Sequence, residues 1–125
     1  MKKKKTKTIQ QRIGSAHKKL DKIYQEEMIA EMPQSILGGR TEVIHHFCYK
    51  AHSTFLRYEP KNGIPLTNAQ HFTLHTKGGL EGQIAMLMGK EWLDWITEHR
   101  KCEYNPKRDL LYLQSLEKKL EEYKL

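Results

Sequence analysis

Between Arg40 and Lys77 short apolar runs alternate with turn residues so closely that only small hairpin and helix units can be built from them. The run RTEVIHHF is β-branched at Thr41, Val43 and Ile44 and follows a Gly-Gly pair, which predicts a strand. A loop and a turn over Pro60 to Gly63 lead to a second extended segment, Ile64 to Leu66, in which Pro65 suits an edge position. Thr67 and Gln70 then stand three apart, as the two halves of a capping box do, and open a helix. The predicted order is strand, loop, strand, helix.

Around this stretch the pattern is helical. From Ile9, the residues Ile13, Ala16, Leu20, Ile23 and Met28 recur at helical steps until Pro33 ends the run. PQSILGGR reads as a turn region and as the boundary between an arm and a core. After Gly78-Gly79, two short helices divided by Gly89 are expected, with Leu87, Trp92, Leu93, Trp95 and Ile96 as core candidates. Asn105-Pro106 should open a last helix with Leu110, Leu113, Leu116, Leu120 and Tyr123 on its apolar stripe. The expected organisation is one compact α+β domain: a basic arm and amphipathic helix over 1–35, a core over 36–78 and a helical region over 79–125.

Lys and Arg outnumber Asp and Glu 22 to 15, giving a net charge of +7, and residues 1–24 alone hold nine basic residues against the single acid Asp21. Such a field attracts polyanions, either nucleic acid or an anionic surface. No apolar stretch is long enough for a membrane span or a secretion signal, so a cytoplasmic location and no membrane partner are expected. The two cysteines, Cys48 and Cys102, lack Cys-x-x-Cys spacing, which argues against a disulfide scaffold and a thiolate zinc site.

Any metal would therefore be held by histidine and oxygen. On the predicted helix His71 and His75 are four apart and share a face, a spacing by which two imidazoles can hold one ion. His45 and His46 close the first strand, where adjacent side chains point to opposite faces, so the two are not both expected in the core. Folding the strands back as a hairpin would lay the helix across them and bring the doublet to the helical pair. Three histidines leave positions on the ion for water and a phosphate oxygen. They suit zinc, nickel, cobalt or manganese better than an all-oxygen magnesium site. Asn62 before Gly63 has a simpler explanation as a turn pair, and His17, His52 and His99 read as surface residues.

The series His45-His46, Asn62, His71 and His75 resembles the motif of the HNH, or ββα-metal (His-Me finger), endonucleases over roughly Arg40 to Lys77, nearest the phage Rap/NinG-like recombination nucleases. The resemblance implies a ββα-metal core flanked by helices and a phosphodiester hydrolase acting on DNA with one divalent ion. It further implies that His45, His71 and His75 bind the ion, that His46 is the general base and that Asn62 ties the loop that orients it. An imidazole near its ordinary pKa of about 6.5 can take a proton from water at working pH. Arg40, Lys50, Arg57 and Lys61 flank the motif and are expected to contact DNA phosphates. Many relatives in that branch carry Cys-x-x-Cys pairs holding a structural zinc; here QSILGG and Thr67-Asn68-Ala69-Gln70 stand in those places, which resembles the zinc-finger-free arrangement of the colicin DNases. A second expectation is a DNA-binding or assembly module that keeps the fold and metal without turnover. A third is a basic helical adaptor. The amphipathic terminal helices could pair two copies into a homodimer.

Overall fold

The computed structural model describes residues 6–49, 56–100 and 110–123. It is α+β: helices α1 (Ile9–Glu31), α2 (Asn68–Thr76), α3 (Leu80–Met88), α4 (Lys90–His99) and α5 (Leu110–Tyr123) accompany one pair of antiparallel strands, β1 (Val43–His46) and β2 (Gly63–Leu66). Contacts group the chain into two units, one of residues 1–23 and 104–125, the other of residues 24–103. The boundaries expected at 35/36 and 78/79 fall inside the second unit. The expected helix start at Asn105-Pro106 lies outside the described residues, as do Lys50, His52 and Cys102. Among the described residues no helix is long and apolar enough to cross a membrane.

In the first unit, Thr8 and Gln11 cap α1 reciprocally: the Thr8 Oγ1 accepts from the Gln11 N–H (3.1 Å) and the Gln11 Oε1 from the Thr8 N–H (2.9 Å). Ile13, Ala16 and Leu20 are buried, as are Tyr112, Leu113 and Leu116 of α5. His17 is buried too, its ring tilted against Tyr112 with centroids 5.8 Å apart, so its expected surface position is wrong. It falls one residue after Ala16, on the flank of the stripe, where an apolar ring partner shields it.

The second unit places a hairpin between helices. β1 pairs with β2 in the register Val43↔Leu66, Ile44↔Pro65, His45↔Ile64 and His46↔Gly63. Pro65 loses no ladder bond, because its main chain points away from β1; its carbonyl accepts from the Ile36 N–H at 3.0 Å. Ile44, opposite it, also points outward, and there the Gln25 side-chain amide bonds both the Ile44 N–H and C=O at 2.8 Å each. Ile64 and Leu66 pack with Leu74 and Ile84, flanked by Ile36, Leu37, Leu80 and Met88. Cys48, Leu56 and Ile96 form an adjoining cluster.

Two local devices fix this arrangement. Gly38 and Gly39 both have positive φ, which only glycine adopts readily, and turn the chain so that Gln34 bridges Arg40. Gln70, one half of the predicted capping box with Thr67, also accepts from the Ser35 hydroxyl and donates to the Gly38 carbonyl (2.9 Å), tying that turn to the start of α2. The C-terminal region departs from expectation at Leu110 and Tyr123, which are exposed at the two ends of α5, and at one core candidate of α3. Leu87 is exposed, and the buried side chain of α3 is Ile84, since Leu80, Ile84 and Met88 form the stripe and Leu87 lies beside it.

Candidate metal centre and its flanking histidine

Both histidines of the doublet are buried, His45 to 2 % exposure and His46 to 9 %, which corrects the expectation that one would face solvent. The alternation of β1 is intact, but the strand is covered on both faces. His45 faces α2, with ring centroids 5.3 Å from His71 and 5.6 Å from His75. His46 faces α1, stacked on Tyr24 at 5.0 Å. Both rings nevertheless border one cleft of about 400 Å³ lined by Gln25, Val43, Ile44, His45, His46, Tyr49, His71 and His75.

On the α2 side, His45, His71 and His75 each offer a ring nitrogen, all within 4.8 Å of one another, a group that could hold a metal ion. The helical pair already meets, Nε2 to Nε2 at 3.0 Å. Nitrogens sharing an ion at about 2.1 Å stand roughly 3–3.5 Å apart, so slight turning of the rings would complete the set. The His45 Nε2 is the strongest sign of fit: it is buried and has no hydrogen-bond partner among the described residues. An orphaned nitrogen in a core costs on the order of 1–3 kcal/mol unless something binds it. Glu81 Oε1 lies 3.7 Å away, beyond hydrogen-bonding distance.

Protonation favours the same use. Burial, reinforced by the neighbouring imidazoles of His71, His75 and His46, lowers the His45 pKa from 6.5 to about 3. Burial and then the charge of His75 lower that of His71. Rings held neutral keep a lone pair for a cation, so protons compete weakly with metal at neutral pH.

On the α1 side, the His46 Nε2 lies 2.8 Å from the Arg57 carbonyl. A carbonyl can only accept, so this nitrogen carries the proton and Nδ1 is the lone-pair nitrogen of the neutral ring. The carbonyl is itself anchored. Asn62, wholly buried in the 3₁₀ turn Pro60–Asn62, accepts from the Cys48 N–H (2.7 Å) and donates to the carbonyls of Cys48 (3.0 Å) and Leu56 (3.1 Å). It therefore joins the end of β1 to the segment that meets His46, which the turn-pair explanation did not foresee. Gly63 keeps this face closed up, because a Cβ there would collide with the Tyr24 hydroxyl, with Met28 Cε (2.7 Å) and with Ile44 Cγ2 (2.8 Å).

Of the expected DNA contacts, Arg40, Arg57 and Lys61 do not line the cleft. Arg40 is exposed beside a separate depression bordered by Pro33, Ser35 and Gly39. The Lys61 ammonium stands over the Trp95 ring at 4.6 Å. Arg57 lies over Tyr58 at 5.7 Å and meets the site through its carbonyl. Lys50 is outside the described residues. His99 is half-buried and stacked on Trp95, not a free surface ring. Four cleft or clamp residues escaped the sequence: Tyr24, Gln25, Tyr49 and Glu81. Only Tyr24 left a signal there, standing four residues from both Leu20 and Met28 on the apolar stripe of α1.

No protein-family model, curated protein or solved structure matches this chain.

Proposed function

We propose that this chain is a metal-dependent DNA endonuclease of the HNH, or ββα-metal, type. The supporting observation is the meeting of His45, His71 and His75 in one cleft whose wall also contains His46. The order of parts, hairpin then helix, agrees with that type, and the Gln70 knot between the 35–38 turn and α2 joins the two places where relatives carry zinc-binding cysteines.

A divalent ion held by His45, His71 and His75 would supply Lewis-acid stabilisation of charge on the phosphate and on the departing 3′ oxygen. His46 accepts a proton from water at Nδ1 while its Nε2–H stays on the Arg57 carbonyl. The water oxygen forms a bond to phosphorus, the bond from phosphorus to the 3′ oxygen breaks, and solvent protonates that oxygen. Tyr24 holds the imidazole plane by stacking, with its own hydroxyl donating to the Glu59 carbonyl at 3.2 Å. Asn62 holds the main chain on either side, and correct placement of a base is worth as much as its basicity. The positive net charge favours approach of a polyanion without reading its sequence.

The test is nicking of supercoiled plasmid by the purified chain with manganese, nickel, cobalt, zinc or magnesium. Conversion to open circles that chelator stops, and that His46→Ala slows by about 10²- to 10⁴-fold, is expected. Intact supercoils with every ion, alongside measurable DNA binding, would favour a binding module without turnover.

A further inference from the structure

Glu81, in the first turn of α3, brings a carboxylate beside the histidine cluster. An acid in a first helical turn needs no special cause, since it complements the helix dipole. That explains the residue type and leaves its direction unexplained: Oε1 is 3.7 Å from the buried, unpartnered His45 Nε2. The gap is too long for a hydrogen bond and close to the spacing of two atoms that share one cation, about 3–3.5 Å. The same Oε1 accepts from the Tyr49 hydroxyl at 3.3 Å, and Tyr49 stands edge-on to His45 and tilted against His75. A metal-bound carboxylate is commonly steered by such a hydroxyl. Glu81 lies outside the 4.8 Å set of nitrogens, and its side chain is half exposed, so it is able to turn the remaining distance.

We propose that Glu81 is the fourth protein ligand of the ion held by His45, His71 and His75. This rests on the metal-centre part of the proposed function. The consequence is a rule of selection among ions. Three imidazoles and a carboxylate satisfy a tetrahedral ion such as zinc completely and leave it no position for substrate. On a six-coordinate ion such as manganese, the same four ligands leave two positions open. Zinc would then be bound tightly and unproductively, while manganese, cobalt or nickel would be the productive ions.

Calorimetric titration of the full chain with manganese and with zinc tests this, using wild type, Glu81→Ala, Glu81→Gln and His75→Ala, with circular dichroism to verify folding. Both Glu81 variants should bind each ion about 10- to 100-fold more weakly, the range lost when a carboxylate supporting a metal site is removed. Glu81→Gln keeps the shape of the side chain and decides the matter should the alanine variant misfold. Glu81 variants within twofold of wild type, beside a His75→Ala that no longer binds, would overturn the proposal and leave the histidine centre standing. A wild-type chain that takes up neither ion would overturn both.

Discussion

The two halves of the histidine cleft are built by opposite means. The strand half, His45 and His46, is buried on both faces and fixed from outside itself, by Gln25 on the main chain, Tyr24 on a ring and Asn62 through the neighbouring loop. The helix half, His71 and His75, is more exposed and is paired by helical spacing, the two rings touching each other. A centre of this kind has one rigid wall and one adjustable wall. On the proposed reading, the rigid wall sets where an ion and a base would be, and the adjustable wall would turn its rings to meet the ion.

The sharpest way to break this contrast is to separate its two strand histidines. His45→Ala should weaken binding of manganese by more than about 100-fold, whereas His46→Ala should change it less than about threefold while slowing nicking by about 10²- to 10⁴-fold, as removal of a base but not of a ligand does. Titration calorimetry beside the plasmid assay reads both. If His46→Ala loses the ion as well, the strand wall does not divide into a ligand and a separate base.

Loosening the rigid wall comes next. Asn62→Ala leaves two carbonyls and one N–H without their buried partner and should cost about 3 kcal/mol in urea unfolding. Smaller still is the effect of acid on the metal-free chain. Above pH 6.5 both folded and unfolded forms hold His45 neutral; between 6.5 and about 3 only the unfolded form takes up the proton, so stability falls as pH falls. The slope should reach roughly 1.4 kcal/mol per pH unit, with His71 acting in the same direction, and denaturation at pH 7.5, 5.5 and 4.5 measures it. A flat profile would show that the rigid wall opens to water. Arg40→Ala, exposed and away from the cleft, should alter stability by less than about 0.5 kcal/mol.

What could be read in advance was whatever depends on near neighbours in the chain. The capping box at Thr67 and Gln70, the strand ending in the doublet and the i, i+4 pair all have local signatures, and the structure places them together. The clamp on the doublet had none, because Gln25 meets Ile44 across 19 residues and Tyr24 meets Glu59 across 35. Nothing in spacing says which distant helix will cover a strand. The assumption that one of two adjacent histidines must face water failed for the same reason: alternation fixes which side a ring points to, and only the partner elements decide whether that side is wet. His17 and Leu87 were misplaced by the same uncertainty over which flank of a stripe meets a neighbour.

A ribbon of two strands has an outer rim of unused peptide groups, the kind of template onto which another chain's strand can zip. In this protein the single carboxamide of Gln25 occupies that rim at Ile44, offering one donor and one acceptor as a third strand would. Exchanging it for leucine would leave the rim open, and self-association through β1, visible as concentration-dependent light scattering, is the outcome to look for.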